Sequence, residues 1–177
     1  PAVTSFASTF SACSSLKSIP AGLFDNNRMV TTFSGTFHAC DALTVIPENL
    51  FANNPAVTDF STTFYRCEAL TVIPENLFAN CPKATDFSYT FQGCKSLKSI
   101  SEKLFANNTK VTNFSYTFKN CSALIGESPY TMIGDKKVHL YERADYPDHF
   151  TAPTNFTEAF FFCLNLTDYA QIPSDWK

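Results

Sequence analysis

The chain has one tryptophan, two methionines and five glycines, and no excess of positive charge, its formal net charge being −3. That balance leaves no basic field to hold nucleic acid or an anionic lipid surface. The longest apolar run, Ala159 to Leu164, is far too short to span a bilayer. The scattered glycines form no phosphate cradle. No secretion signal stands at the start. Pro1-Ala2-Val3 repeats Pro55-Ala56-Val57, so residue 1 falls at a repeat junction. The expectation is that a missing N-terminal part carries any signal or anchor.

Cysteine is plentiful, but its spacing suits neither zinc nor a disulfide framework. Cys13, Cys40, Cys67, Cys94 and Cys121 recur every 27 residues, Cys163 continues the column, and Cys81 stands off it. C-x-x-C pairs are missing. Disulfide scaffolds serve domains with too little core, and 177 residues are enough for one. Stacked strands about 4.8 Å apart hold like Cβ atoms beyond the roughly 3.5–4.5 Å of a bridge. Buried free thiols are the favoured reading, and a disulfide ladder is the alternative.

What the chain does have is a repeat. Val57 to Lys83 reads V-T-D-F-S-T-T-F-Y-R-C-E-A-L-T-V-I-P-E-N-L-F-A-N-C-P-K, and the pattern restarts at Val3, Val30, Ala84 and Val111, always 27 residues on. Self-similarity at such a period predicts a solenoid. Each unit divides into a Phe half, opening at Val57, and a Leu half, opening at Leu70. Counted from those openings, Cys67 and Asn80 occupy matching places. A tight turn at the core edge is expected there, with Asn bonding backbone and Cys filling space.

Fourteen of the 19 phenylalanines follow the same period. Phe6, Phe33, Phe60, Phe87 and Phe114 form one column, Phe10, Phe37, Phe64, Phe91 and Phe118 a second, and Phe24, Phe51, Phe78 and Phe105 a third. Core ladders are the reading, each aromatic neighbour adding about 0.5–1.5 kcal/mol beyond its area. V-T-D-F and L-T-V-I predict short parallel strands. The serine after the first and the Pro-Glu after the second predict short α or 3-10 pieces.

After Leu124 the Leu half fails. Tyr130 to Ile133 and Val138 to Glu142 read as strands of a hairpin around Gly134 to Lys137. The pattern resumes at Asn155-Phe156-Thr157 and runs to Ile172-Pro173. The hairpin, the Phe160-Phe161-Phe162 run and Trp176 are expected to cap the last coil. The fold class is therefore an α/β repeat solenoid, a right-handed stack closed by an irregular C-terminal cap. It forms a single domain over residues 1–177: repeats at 3–124, an inserted hairpin and loop at 125–152, and a degenerate repeat and cap at 153–177.

Comparison among the repeats isolates a candidate binding strip. Offset 6 of the Phe half is Thr in all five units, from Thr9 to Thr117. Offset 5 runs Ser8, Gly35, Thr62, Tyr89, Tyr116, and offset 8 runs Ser11, His38, Tyr65, Gln92, Lys119. Variable positions face solvent, and solenoids bind through extended stacked surfaces. Tyr65, Tyr89 and Tyr116, with His38, Gln92 and Lys119, are the candidate strip, with the threonine column at its edge. Freely drifting surface is the bland alternative. His38, His139 and His149 lack metal-ligand spacing and read as surface histidines. Glu142, Asp145 and Asp148 read as a solvated loop, with no partner nucleophile. No catalytic, metal or cofactor residues are identified.

The signature F-x-x-T-F-x-x-C-x-x-L-x-x-I-P-x-x-L-F, carried by Phe60 to Phe78, resembles the BspA-like leucine-rich repeats of bacterial surface proteins. The resemblance covers Val3 to Leu124 well and Pro153 to Pro173 loosely. It implies export to a bacterial cell surface and a non-enzymatic role in adhesion or host interaction, toward a host or neighbouring-cell protein or glycan. A carbohydrate-binding module and a passive spacer are the alternatives.

Overall fold

The computed structural model describes residues 2–177. The repeat junction expected at Pro1 lies outside the described residues. Successive coils meet through two columns of parallel backbone bridges. One joins Ser5, Thr32, Asp59, Asp86, Asn113 and Asn155; the other joins Ser18, Val45, Val72 and Ser99, and a last bridge joins Gly126 to Leu166. The expected strands are thus reduced to single bridged residues.

The expected helices of the repeats are turns instead. In the third unit, Phe60, Thr62, Phe64 and Arg66 donate their N–H groups to carbonyls of the next coil. Thr63, Tyr65 and Cys67 donate to carbonyls three residues back. Backbone φ is positive at Ser8, Gly35, Thr62, Tyr89, Tyr116 and Glu158, and again four residues later at Ala12, Ala39, Arg66, Gly93, Asn120 and Phe162. A positive φ at the third residue of a turn closed in this way is the type II pattern. A helix would send every N–H along its own axis. Consecutive turns send every second one sideways, and this stitches the Phe halves together.

The threonine column lies inside this seam, not at the edge of a strip. Thr36, Thr63, Thr90 and Thr117 are fully buried or nearly so. Each hydroxyl reaches two carbonyls, one in its own turn and one a coil earlier; Thr90 Oγ1 lies 2.7 Å from Phe87 O and 3.0 Å from Phe60 O. The cysteine column does more than fill space. Cys67 and Cys94 donate to the carbonyls of Phe37 and Phe64 at 3.2 and 3.3 Å, and Cys40, Cys121 and Cys163 repeat the contact. All seven thiols are free, and only Cys13 is exposed. Burial pushes Cys40 up to about 11 and Cys94 and Cys163 up to about 12.

In the Leu half the matching column sits one residue later than the sequence count placed it. Asn54, Cys81 and Asn108 are buried, whereas Asn80 and Asn107 are exposed. Asn54 Nδ2 donates to Phe24 O and Asn27 O, both at 3.1 Å. Asn108 Nδ2 donates to Phe78 O at 3.1 Å and Cys81 O at 2.9 Å. Cys81 therefore belongs to an asparagine column, where its thiol faces the equivalent carbonyls of Phe51 and Asn54 from 3.6 and 3.7 Å.

The phenylalanine columns form the core. Rings of the second column stack at 5.4–5.7 Å from Phe10 to Phe118 and on to Phe160 at 5.6 Å. The third column wedges between coils, Phe24 lying 4.7 Å from both Phe6 and Phe33. Trp176 ends that wedge, stacked on Phe156 at 4.8 Å and near Phe114 at 6.2 Å.

Where the fifth Leu half is missing, the insertion supplies a substitute. Strands β1 (Tyr130–Ile133) and β2 (Lys136–His139) pair antiparallel around Gly134-Asp135. A φ of +60° at Gly134 suits a two-residue hairpin turn with glycine leading. The second strand starts earlier than the sequence pattern suggested, and a 3-10 helix, Leu140–Asp145, follows it. From this helix Arg143, fully buried, donates to Asn108 O at 2.9 Å and Phe105 O at 2.8 Å. Those carbonyls stand one coil beyond the pairs taken by Asn54, Cys81 and Asn108. Arg143 thus continues the asparagine column, with its guanidinium packed over Phe150 at 4.4 Å and Phe114 at 5.6 Å.

Candidate functional site

The strip residues project from the turns of the Phe halves, so their spacing is set by the seam beneath them. Tyr89 and Tyr116 stack at 4.6 Å with 22° between ring planes. His38 and Tyr65 stack at 4.9 Å and 25°, one column across. The strip therefore holds two aromatic pairs rather than one row of three tyrosines. His38 Nδ1 lies 3.1 Å from Ser11 Oγ. Gln92 continues the His38–Tyr65 column and keeps a buried Oε1 without a hydrogen-bond partner among the described residues.

Lys119 closes the strip. Its ammonium pairs with Glu158 and lies 5.1 Å from the Tyr116 ring centroid and 4.9 Å from that of Phe161. Burial, with Tyr116 beside it, holds the Tyr89 hydroxyl above its ordinary value. Beside Tyr65 and Gln92 a shallow cavity of about 240 Å³ is lined by Arg66, Glu68, Lys95 and Asn120. Glu68 takes Lys95 at 2.9 Å and Arg66 at 3.6 Å, and the Lys95 hydrogen bond holds its carboxyl below the ordinary value.

Sequence comparison treated offset 5 as free surface, but the backbone there is constrained. Tyr89 and Tyr116 have φ of 59° and 60°. That region suits the Gly35 of the second unit, and costs an L-residue roughly 1–2 kcal/mol. Two further aromatics extend the register of the candidate strip beyond the residues that repeat comparison picked out. Phe161 continues offset 8 and Phe162 offset 9 of the terminal repeat, and Phe162 is 53% exposed. Only Phe160 of that run enters the core. The repeat register carried this signal, since Phe156 fixes the count.

Of the other candidates, His149, Asp145 and Asp148 are exposed. His139 is not a surface histidine: it is 8% exposed and faces Ser128, Glu127 and Asp168. Among the described residues no group of three or more His, Cys, Asp or Glu is placed to hold a metal ion, and no helix is long and apolar enough to cross a membrane.

No family model and no curated protein matches the sequence. Among solved structures, the chain is similar to the leucine-rich repeat domain of APL1B, at 16% identity over 66% of this chain and 34% of that one, with a TM-score of 0.42. It is also similar to a leucine-rich repeat protein of Bacteroides ovatus, at 16% identity over 72% and 40% of the two chains, TM-score 0.31. A leucine-rich cell-surface protein of Faecalibacterium prausnitzii gives 19% identity over 75% and 36%, TM-score 0.29. The chain spans between 34% and 40% of the length of these structures.

Proposed function

We propose that this chain is a non-enzymatic interaction module of leucine-rich-repeat type, displayed on a bacterial cell surface, that binds a protein of a host or neighbouring cell. Residues 1–177 serve as one solenoid domain, wound right-handed as parallel crossovers are. The flank strip of Tyr65, Tyr89 and Tyr116, with His38, Gln92 and Lys119 and extended by Phe161 and Phe162, is the binding surface. Export and surface display rest on the resemblance of the repeat signature.

The observation that carries this reading is the Tyr89–Tyr116 pair. Both tyrosines sit at left-handed positions where glycine is easier. The turn imposes this φ in every coil, as at Ser8 and Thr62, and of the six equivalent places only these two carry an aromatic ring. Their rings cover one another, so what the pair leaves open to a partner is ring edge more than inner face, with Tyr89 exposed. Tyr edges with a polar tip suit a protein interface. A glycan module needs an open ring face, and here the inner faces are taken by the partner ring and Lys119 lies over Tyr116. A passive spacer gives no reason for aromatics at strained positions.

The test replaces Tyr65, Tyr89 and Tyr116 together by Ser, the residue already present at Ser8 with φ of 56° and at Ser11. Melting is expected to hold while adhesion to protease-sensitive sites on host or neighbouring cells is lost. Unchanged adhesion would remove the strip from the function, and binding confined to a glycan array would turn the reading to carbohydrate.

A further inference from the structure

We propose that Tyr89 and Tyr116 form a site of oxidative modification, where a peroxide-driven one-electron oxidant joins the two rings into an intramolecular dityrosine. The chemistry belongs to the pair, whatever the strip binds. The chain has seven tyrosines. Among the described residues these are the only two whose rings meet, with centroids 4.6 Å apart and planes 22° from parallel.

The repeat places them together. Both stand at offset 5 of successive Phe halves, with φ of 59° and 60°. The seam pins the backbones beneath: Tyr89 N–H donates to Ser115 O and Tyr116 N–H to Thr157 O, both at 2.9 Å. Bridged coils lie about 4.8 Å apart, so the two side chains leave their coils side by side. Tyr89 is 36% exposed and Tyr116 half-buried, so the rings can slide from face contact to edge contact by side-chain rotation alone. Tyr65 supplies the internal contrast. It stacks on His38 at 4.9 Å, and the next coil holds Gln92 at its offset, an amide with no phenol to couple.

Each phenol gives one electron to the oxidant and its hydroxyl proton to water. The unpaired electron of a phenoxyl radical is shared between its oxygen and the carbons ortho and para to it. The para carbon already bears the rest of the side chain, so an ortho carbon, Cε, is the one free to bond. A C–C bond between the two Cε atoms pairs the electrons. The hydrogen on each of those carbons leaves as a proton while each oxygen regains one, and both phenols are restored. Two electrons and two protons are lost in all, and one hydrogen peroxide takes them up to become two waters. A haem peroxidase performs that oxidation one electron at a time. A lone phenoxyl radical must find a second radical on another chain. Here the second ring is already in contact, and an intramolecular step replaces the collision. Tyr89 is the exposed entry, whereas the Lys119 ammonium lies 5.1 Å from the Tyr116 ring centroid and pairs with Glu158. The bond joins two coils across the strip and turns two stacked rings into one edge-joined unit, so peroxide alters the surface presented there.

The test treats the full chain with hydrogen peroxide and a haem peroxidase, and reads the product by dityrosine fluorescence and by mass spectrometry of its peptides. A monomer lighter by two hydrogens is expected, with the peptides of Tyr89 and Tyr116 linked and a yield that does not change on dilution. Tyr116→Phe and Tyr89→Phe should each lose the monomeric link, and Tyr65→Phe should keep it. Links formed only between chains, a yield that falls on dilution, a monomeric link that survives in Tyr116→Phe, or no dityrosine at all would overturn the proposal. The dilution series and the peptide map need only the wild type, so they decide the matter even where a Phe variant fails to fold.

Discussion

Replacing Arg143 by Met isolates what fastens the insertion to the repeats. The guanidinium is fully buried and faces no carboxylate among the described residues; its partners are the Asn108 and Phe105 carbonyls and two aromatic faces. Burial pulls its ionisation down from 12.5 to about 9, so the charge is held at a cost. Met keeps the packing volume and contacts the same rings, and removes both hydrogen bonds. Phe105 O keeps the Asn108 N–H at 3.1 Å, whereas Asn108 O has no other donor among the described residues. Orphaning one buried carbonyl costs about 1–3 kcal/mol, and weakening a second charge-assisted bond adds about 1 more. A net loss of about 3 kcal/mol lowers the melting temperature of a chain this size by roughly 6–12 °C. Circular dichroism melting measures it. Arg143→Lys should lose nearly as much, because an ammonium lacks the planar fork that spans both carbonyls. A Met variant melting with the wild type would refute the reasoning: the relief of desolvation would then cancel the hydrogen bonds.

Three further outcomes follow from the seam. Thr62→Gly should raise stability by about 1 kcal/mol in denaturant melts, since a β-branched residue sits at φ of 54° there. Cys81→Asn should be tolerated within about 1 kcal/mol because Asn54 and Asn108 already make that contact, while Cys94→Asn should cost about 2 kcal/mol by overpacking the other column. Thiols raised by burial contribute stability that is full below the ordinary value of 9.0 and lost as pH climbs toward 11 and 12. Melting temperature should accordingly fall steeply above about pH 9, and less steeply in Cys94→Ala, when read across a pH series.

The period, the phenylalanine columns and the inserted hairpin were legible because five copies repeat them and because apolar spacing reports burial directly. The turn type was written more faintly. Gly35, Gly93 and Asn120 mark the left-handed positions, but Ser, Ala, Thr, Arg, Tyr, Glu and Phe fill the others. The threonine column looked external because a hydroxyl is polar, yet its own turn satisfies it, so it is buried at little cost. The asparagine column was miscounted by one residue, since Asn80 and Cys81 are adjacent and either fits a turn. Arg143 and His139 belong to a segment present once, so no second copy showed which positions the fold dictates. In the strip, variability marked the surface correctly for Tyr65 and Tyr89, but it hid the backbone constraint beneath Tyr89 and Tyr116.

The central claim is that a protein partner docks on the flank of the Phe halves. A photo-crosslinking side chain placed at Tyr89, compared with one at Val72, tests it most directly. Val72 is 45% exposed on the other bridge column, so both probes are accessible. The chain is incubated with intact host or neighbouring cells before and after protease treatment. The account predicts a discrete protein adduct from the Tyr89 probe alone, lost on protease treatment and in the presence of excess unmodified chain. Equal labelling from Val72, or none from Tyr89 under conditions where the chain still adheres, would contradict it.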